Sequence, residues 1–116
     1  MKPRSGRIVI DAQPESAALV LRVSGEVDMH TSPQMRQALQ DALAARPARL
    51  ILDLTEVGYM DSSGVGTIVE AKRHADRHGG RVVLANLQPR VRSVLEITQL
   101  DRFFVIAASL EAAREA

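Results

Sequence analysis

Short apolar runs alternate with longer amphipathic stretches along most of the chain. Runs rich in β-branched residues and bounded by turn-forming residues are typical of buried strands. Five such runs predict strands at residues 7–12, 18–25, 48–54, 80–86 and 102–107. The first two are separated by a turn-like Gln-Pro-Glu-Ser segment and therefore predict a β-hairpin.

Helices are predicted between and after these strands, where apolar residues recur on one helical stripe. The predicted helices span residues 32–45, 63–78 and 89–98, with a last one from Ser109 towards the end. Thr31 and Gln34 predict a capping box at the start of the first helix, and Pro33 suits its first turn. The pair Gly79-Gly80 is expected to end the second helix.

The resulting order, β-β-α-β-α-β-α-β-α, predicts an α/β fold. Alternating strands and helices favour parallel pairing, and the hairpin adds one antiparallel strand. A length of 116 residues fits one domain. We therefore expect a single domain over residues 8–116, with a mixed, mostly parallel sheet of about five strands and about four helices. Residues 1–7 are expected to form a flexible N-terminus.

The amino-acid composition of the chain excludes several classes of function. The net charge is +1, so no strong field points to nucleic acid or to an anionic membrane. The chain contains no cysteine, which excludes disulfides, thiol catalysis and cysteine-based metal sites and fits a reducing cytosol. Tyr59, Phe103 and Phe104 are the only aromatics, too few for base-stacking platforms. With no targeting segment or membrane-length apolar run recognised, we expect a cytoplasmic protein that does not contact membranes.

Two polar segments follow the second and third predicted strands. They read GEVDMHTS and TEVGYMDSSG. In open α/β sheets, functional groups gather beyond the carboxyl ends of the strands. If these two strands are neighbours, Asp28 and Ser62 lie on the same rim of the sheet although they are distant in sequence.

The stretch MDSSGVG within the second segment allows several interpretations. Asp61 or Ser62 could simply cap the following helix, with Ser63 in its first turn. Gly64 and Gly66 then remain unexplained, since each costs about 0.5–1 kcal/mol relative to alanine in a helix. Glycine would leave the backbone open to a partner or a phosphate. Alternatively, Gly66 packs tightly on the sheet.

The spacing of residues in and around this segment does not match known catalytic or metal-binding motifs. A nucleophile elbow needs G-x-S-x-G, but Met60 stands two residues before Ser62. No lysine follows a glycine-rich run, which excludes a Walker loop. Of the histidines only His30 lies on the predicted rim, and nothing marks it as an oriented base. His74 and His78 have i, i+4 spacing but no third ligand, so no metal site is expected.

What remains is a modifiable serine at an exposed helix N-terminus. Phosphorylation would add a charge of about −1.5 to −2, which a helix N-terminus tolerates well. Asp28 and Asp61 would crowd that charge. We therefore expect little refolding and a large change in what the rim can bind.

Both polar segments, with their flanks, resemble the bacterial anti-sigma factor antagonists of the STAS-domain family. The likeness rests on VSGEVDMHTSPQMRQAL and LILDLTEVGYMDSSGVGTIVEAKRHA, and GGRVVLANLQPRVRSVLEITQLDRFF looks like the family's later elements. It covers Ile8 to Ala113, and G-E-V-D with D-S-S-G-V-G is specific in combination. Val27 and Val65 replace leucines that are common there. The resemblance implies that the helices lie mainly on one face of the mixed sheet.

The resemblance also implies partner switching. In that family the unphosphorylated antagonist binds an anti-sigma factor that is also a GHKL-type serine kinase, and a sigma factor is freed. The kinase then phosphorylates the serine directly after the aspartate, the complex dissociates, and a PP2C-type phosphatase resets it. Carried over to this chain, Ser62 is the phosphate acceptor, and Asp28 helps to place the kinase or to orient the site.

The partner-binding residues expected on this basis share the two polar segments. They are Asp28, His30, Thr31, Asp61, Ser62, Ser63 and Gly64. The chain is expected to be a kinase and phosphatase substrate rather than an enzyme, to need no cofactor, to avoid direct nucleic-acid contact and to be monomeric when free. The alternative is a non-phosphorylated STAS adaptor subunit of a transport or scaffold complex.

Overall fold

The strands and helices follow one another in the predicted order. The structure is a computed structural model that describes residues 7–116, so all but Arg7 of the predicted flexible N-terminus lies outside the described residues. The described elements are β1 (Ile8–Glu15), β2 (Ala18–Val27), α1 (Ser32–Ala44), β3 (Arg49–Met60), α2 (Ser62–Arg77), β4 (Arg81–Ala85), α3 (Pro89–Ile97), β5 (Val105–Ala107) and α4 (Leu110–Glu115).

The strands form one mixed sheet in the order β1-β2-β3-β4-β5. β1 pairs antiparallel with β2, and every other neighbouring pair is parallel. The predicted mixed, mostly parallel sheet is therefore confirmed. Because β2 and β3 are neighbours, their carboxyl ends lie side by side at one edge of the sheet.

The hairpin turn is shorter than the sequence predicted. Residues 13–15 belong to β1, and the turn consists of Ser16 and Ala17 alone, with Ala17 at φ 59°. The prediction that 13–16 forms the connection is therefore wrong for its first three residues. Pro14 is accommodated because β1 is an edge strand, where a missing N–H removes no bond to an outer neighbour.

β2 and β3 extend further at their C-terminal ends than predicted, and the last strand is shorter. β3 continues through TEVGYM to Met60, a segment predicted to be a loop. β2 reaches Val27 through irregular register around Ser24, which lets it follow β3. Residues 102–104 form a turn instead of the first half of β5. The rim connections are therefore shorter than predicted and begin at Asp28 and Asp61.

Three helices cover one face of the sheet and α4 covers part of the other. The larger apolar cluster joins β3 residues such as Leu52 and Leu54 to Met35 of α1, Ile68 of α2 and Leu95 of α3. The smaller cluster, on the opposite face, contains Ile51, Val83 and Ala113, the last from α4. The expectation that the helices lie mainly on one face is confirmed. None of the helices within residues 7–116 has the length and apolar character needed to cross a membrane.

The helix ends agree with prediction at one place and differ at another. Gly79, at φ 75°, follows α2, and the Gly80 N–H donates to the Ala75 carbonyl at 2.9 Å, which closes the helix as predicted. The capping box of α1 is wrong. The Thr31 side chain makes no capping bond to α1, and the Gln34 amide donates instead to the Ile8 carbonyl at 3.0 Å.

Candidate functional site

The two polar connections begin side by side on one rim. Val27, the last residue of β2, pairs with Met60, the last residue of β3. The Asp61 N–H donates to the Val27 carbonyl at 3.0 Å, which ties the start of the second connection to the end of the first strand. Asp28 and Ser62 therefore share the rim that the predicted topology required.

The loop after β2 is organised around the Asp28 carboxylate. Its Oδ1 accepts hydrogen bonds from the backbone N–H groups of His30 at 2.8 Å and Thr31 at 3.1 Å. The Thr31 hydroxyl donates to the Glu26 carbonyl at 2.8 Å and accepts from the Asp28 N–H at 3.0 Å. These bonds make a compact turn in which Asp28 and Thr31 hold each other in place.

The same hydrogen bonds set the charge of the loop. The backbone N–H of His30, joined by the N–H and hydroxyl of Thr31, stabilises the ionised carboxylate and lowers the pKa of Asp28. The Asp28 carboxylate is thus a fixed negative charge at neutral pH and a weak proton acceptor. Its chemistry suits positioning and charge recognition more than general-base catalysis.

At the start of α2, Asp61 is the N-cap, which decides between the two candidates for that role. Its Oδ1 accepts from the backbone N–H of Ser63 at 3.0 Å and of Gly64 at 3.4 Å, and from the Ser63 hydroxyl at 2.5 Å. The Asp61 carboxylate therefore satisfies donors that a helix N-terminus leaves unpaired.

The two neighbouring serines differ in what their hydroxyl groups do. The Ser63 hydroxyl is half-buried and is engaged by Asp61. Ser62 is exposed, and no side-chain hydrogen bond among residues 7–116 involves its hydroxyl. Ser62 is therefore the serine that an external group can reach without breaking an internal bond.

The two glycines of MDSSGVG have opposite environments. A Cβ on Gly64 would lie 2.6 Å from Val27 Cγ1 and 2.7 Å from Met60 Cγ, so this glycine permits close packing of α2 on the strand ends. A Cβ on Gly66 would meet nothing within 4 Å. The alternative that Gly66 packs tightly on the sheet is wrong, and the tightly packed glycine is Gly64.

Two of the expected partner-binding residues are enclosed by their own chain. Thr31 is only 2% exposed, and Gly64 is buried against Val27 and Met60. Neither can offer a side-chain surface to a partner, because each is enclosed by its own chain. His30 and Ser62 are exposed, while Asp28, Asp61 and Ser63 are half-buried.

Two exposed apolar side chains on the rim escaped the sequence analysis. Met29, in the loop with Asp28, is 70% exposed, and Tyr59, which pairs with Glu26 near the end of β3, is 40% exposed. Large apolar side chains at protein surfaces are frequent anchors of interfaces. The available signal was Met29 itself, an apolar residue within an otherwise polar connection.

The remaining candidate for chemistry lies away from this rim. His74 and His78 have ring centroids 4.7 Å apart near the C-terminal end of α2. Burial, with the nearby positive charge of Arg46, lowers the pKa of His78. Residues 7–116 contain no group of three or more histidine, aspartate or glutamate side chains arranged to hold a metal ion.

Comparison with known proteins agrees with the architecture described above. The family model of the STAS domain matches residues 8–113. The anti-sigma-B factor antagonist of Bacillus subtilis (strain 168) is 32% identical over 104 residues, which cover 90% of this chain and 94% of that protein.

Solved structures extend the agreement to three dimensions. The crystal structure of an anti-sigma factor antagonist from Mycobacterium paratuberculosis has a TM-score of 0.89 at 26% identity and covers 97% of this chain and 95% of that one. The Bacillus cell fate determinant SpoIIAA in its phosphorylated form has a TM-score of 0.71 at 27% identity, with coverage of 92% and 98%. The chain therefore belongs to the STAS domain family, and it is similar to anti-sigma factor antagonists.

Proposed function

We propose that this chain is an anti-sigma factor antagonist whose binding is switched off by phosphorylation of Ser62. The unphosphorylated chain binds an anti-sigma factor that is also a GHKL-type serine kinase, and a sigma factor is released in the cytoplasm. A PP2C-type phosphatase restores the binding form. One observation carries the proposal: Ser62 presents an exposed, unbonded hydroxyl at a helix start, while the adjacent Ser63 is held by Asp61. The named relatives support it.

The chemistry of the transfer assigns most of the work to the partner. The Ser62 oxygen attacks the γ-phosphorus of ATP bound to the kinase, ADP leaves, and the hydroxyl proton passes to a base. Asp28 is a poor candidate for that base because its pKa is lowered and its Oδ1 already accepts two backbone N–H groups. Asp61 is occupied as the helix cap. The kinase therefore supplies the base, and this chain supplies an accessible hydroxyl at the start of α2.

The added phosphate acts on the interface more than on the fold. It brings about −1.5 to −2 charges to the N-terminus of α2, where the helix dipole offsets part of the cost. The Asp28 and Asp61 carboxylates share that rim, so the local negative charge rises sharply. Charge that is misplaced in an interface costs several kcal/mol, which is enough to dissociate a complex. The domain itself keeps its sheet and core.

Two substitutions at one position test this switch. Ser62→Ala is expected to bind the kinase as the wild type does and to resist phosphorylation, because the acceptor oxygen is removed without added charge. Ser62→Glu is expected to lose most binding, because it places a permanent charge at the same site. Isothermal titration calorimetry against the purified GHKL-type kinases of the same genome measures both. Equal affinity of Ser62→Glu and the wild type would show that Ser62 is not the switch.

A further inference from the structure

Gly66 lies in the second turn of α2 without any requirement for glycine within the chain itself. Its φ is not positive, unlike the φ of Gly25 and Gly79. A Cβ at this position would meet nothing within 4 Å, and the residue is exposed. Glycine in a helix interior is destabilising relative to alanine because it loses more backbone freedom on folding. The chain therefore carries a destabilising residue that neither packing nor backbone geometry explains.

The position of Gly66 links it to the phosphate acceptor. It stands four residues after Ser62, and residues at i and i+4 of a helix are neighbours on one face. Four residues correspond to about 6 Å along the helix axis. The side of α2 that carries Ser62 also exposes Gly66 and Arg73. An enzyme that brings a nucleotide to the Ser62 hydroxyl therefore has Gly66 within about one helical turn of the reacting oxygen.

We propose that the anti-sigma factor kinase packs directly against the bare backbone of α2 at Gly66, and that a side chain here would hold it away. This inference rests on the proposed function, since it takes the kinase that modifies Ser62 as the occupant. The contrast with Gly64 supports it, because that glycine is explained by contacts inside the chain. Gly66 is then a positioning residue for phosphorylation and a determinant of which partner fits.

The first arm of the test needs no partner. Gly66→Ala is expected to raise the melting temperature by about 2–5 °C, because alanine favours the helix and its methyl group meets nothing. Thermal unfolding followed by circular dichroism measures this. A melting temperature below that of the wild type would show that the fold itself needs the glycine, and would overturn the inference.

The second arm measures binding and phosphorylation with the purified GHKL-type kinases of the same genome. Gly66→Leu is expected to weaken kinase binding at least about tenfold and to lower kcat/KM for Ser62 phosphorylation, as a misfit at an interface centre does. Ala112→Leu is the matched control, because it adds similar bulk at an exposed position of α4, on the opposite face of the sheet. The control is expected to bind within about twofold of the wild type, as distant surface changes do.

The outcomes separate this inference from the proposed function. If the wild type binds and is phosphorylated, and Gly66→Leu performs equally well, the inference alone fails. If the wild type binds none of these kinases, the proposed function fails and the inference fails with it. The inference is supported if kinase binding and phosphorylation fall in Gly66→Leu but not in Ala112→Leu, and if Gly66→Ala raises the melting temperature.

Discussion

Replacement of Gly64 by alanine tests how the two sides of the rim are joined. The new Cβ would lie 2.6 Å from Val27 Cγ1 and 2.7 Å from Met60 Cγ, both far inside van der Waals contact. Val27 and Met60 are 0% and 1% exposed and pair with each other across β2 and β3. Neither contact is with the free end of a long side chain, so relief requires movement of the helix start or the strand ends.

The expected change in the free energy of unfolding of Gly64→Ala follows from two opposed effects. Overpacking of a well-packed site costs about 1–3 kcal/mol. The change from glycine to alanine stabilises a helix by about 0.5–1 kcal/mol. We expect a net loss of about 1–2 kcal/mol in the free energy of unfolding for Gly64→Ala. For a domain of this size that corresponds to a fall of about 3–8 °C in melting temperature.

Urea denaturation and thermal melting of Gly64→Ala measure this loss, and Gly66→Ala serves as the matched control. Both substitutions remove a glycine from the same helix, so the helix-propensity gain is shared and the difference between them reports packing. We expect opposite signs, with Gly64→Ala destabilised and Gly66→Ala stabilised. A Gly64→Ala protein as stable as the wild type would refute the packing described between α2 and the two strands.

Three further outcomes are expected. Asp61→Ala should lose about 1 kcal/mol in urea denaturation through loss of the helix cap, and an unchanged midpoint would contradict that role. The pKa of Asp28, measured by NMR titration, should lie below that of an unperturbed aspartate because the His30 N–H binds the carboxylate. The ionised Asp28 carboxylate then stabilises the fold above the unfolded-state pKa, and this contribution is lost as pH falls through the folded pKa. An NMR titration midpoint of Asp28 at or above the value of an unperturbed aspartate would contradict the loop geometry. Met29→Ala should keep its melting temperature and bind the kinase at least about fivefold more weakly in calorimetry, and unchanged affinity would exclude Met29 as an anchor.

The order of elements and the shared rim could be predicted because both depend on local patterns. Strands such as β4 are continuous apolar runs, and the helices between them carry clear apolar stripes. Alternation of the two then fixes parallel pairing, which places Asp28 and Ser62 at the same edge once β2 and β3 are neighbours. The C-terminal end of α2 could also be predicted, because glycine is typical just after a helix and Gly79 adopts the positive φ that this position requires.

The extent of β3 could not be read from the pattern, because its second half carries exposed Thr55, Glu56 and Tyr59 beside buried Val57. Such a segment has no continuous apolar run, and it contains Gly58, a residue typical of turns. It is held as strand by its pairing with the irregular end of β2. Tertiary pairing of this kind overrides local preference.

The roles of the two glycines were also beyond sequence reasoning. The requirement for Gly64 comes from Val27, a residue far away in sequence whose side chain reaches α2 only in the folded sheet. The capping box failed for a related reason: the Thr31 hydroxyl is engaged by the Glu26 carbonyl of β2 and by the Asp28 N–H. In both cases the deciding contact involves a partner that the local motif does not contain.

The central claim is that Ser62, and not Ser63, receives the phosphate that ends partner binding. The most direct test incubates the wild type, Ser62→Ala and Ser63→Ala with each purified GHKL-type kinase of the same genome, ATP and Mg²⁺, followed by intact mass and peptide mapping. We expect one phosphoryl group on Ser62 in the wild type and in Ser63→Ala, none in Ser62→Ala, and no complex with the phosphorylated protein. Phosphate on Ser63, or a phosphorylated protein that still binds its kinase, would contradict the account.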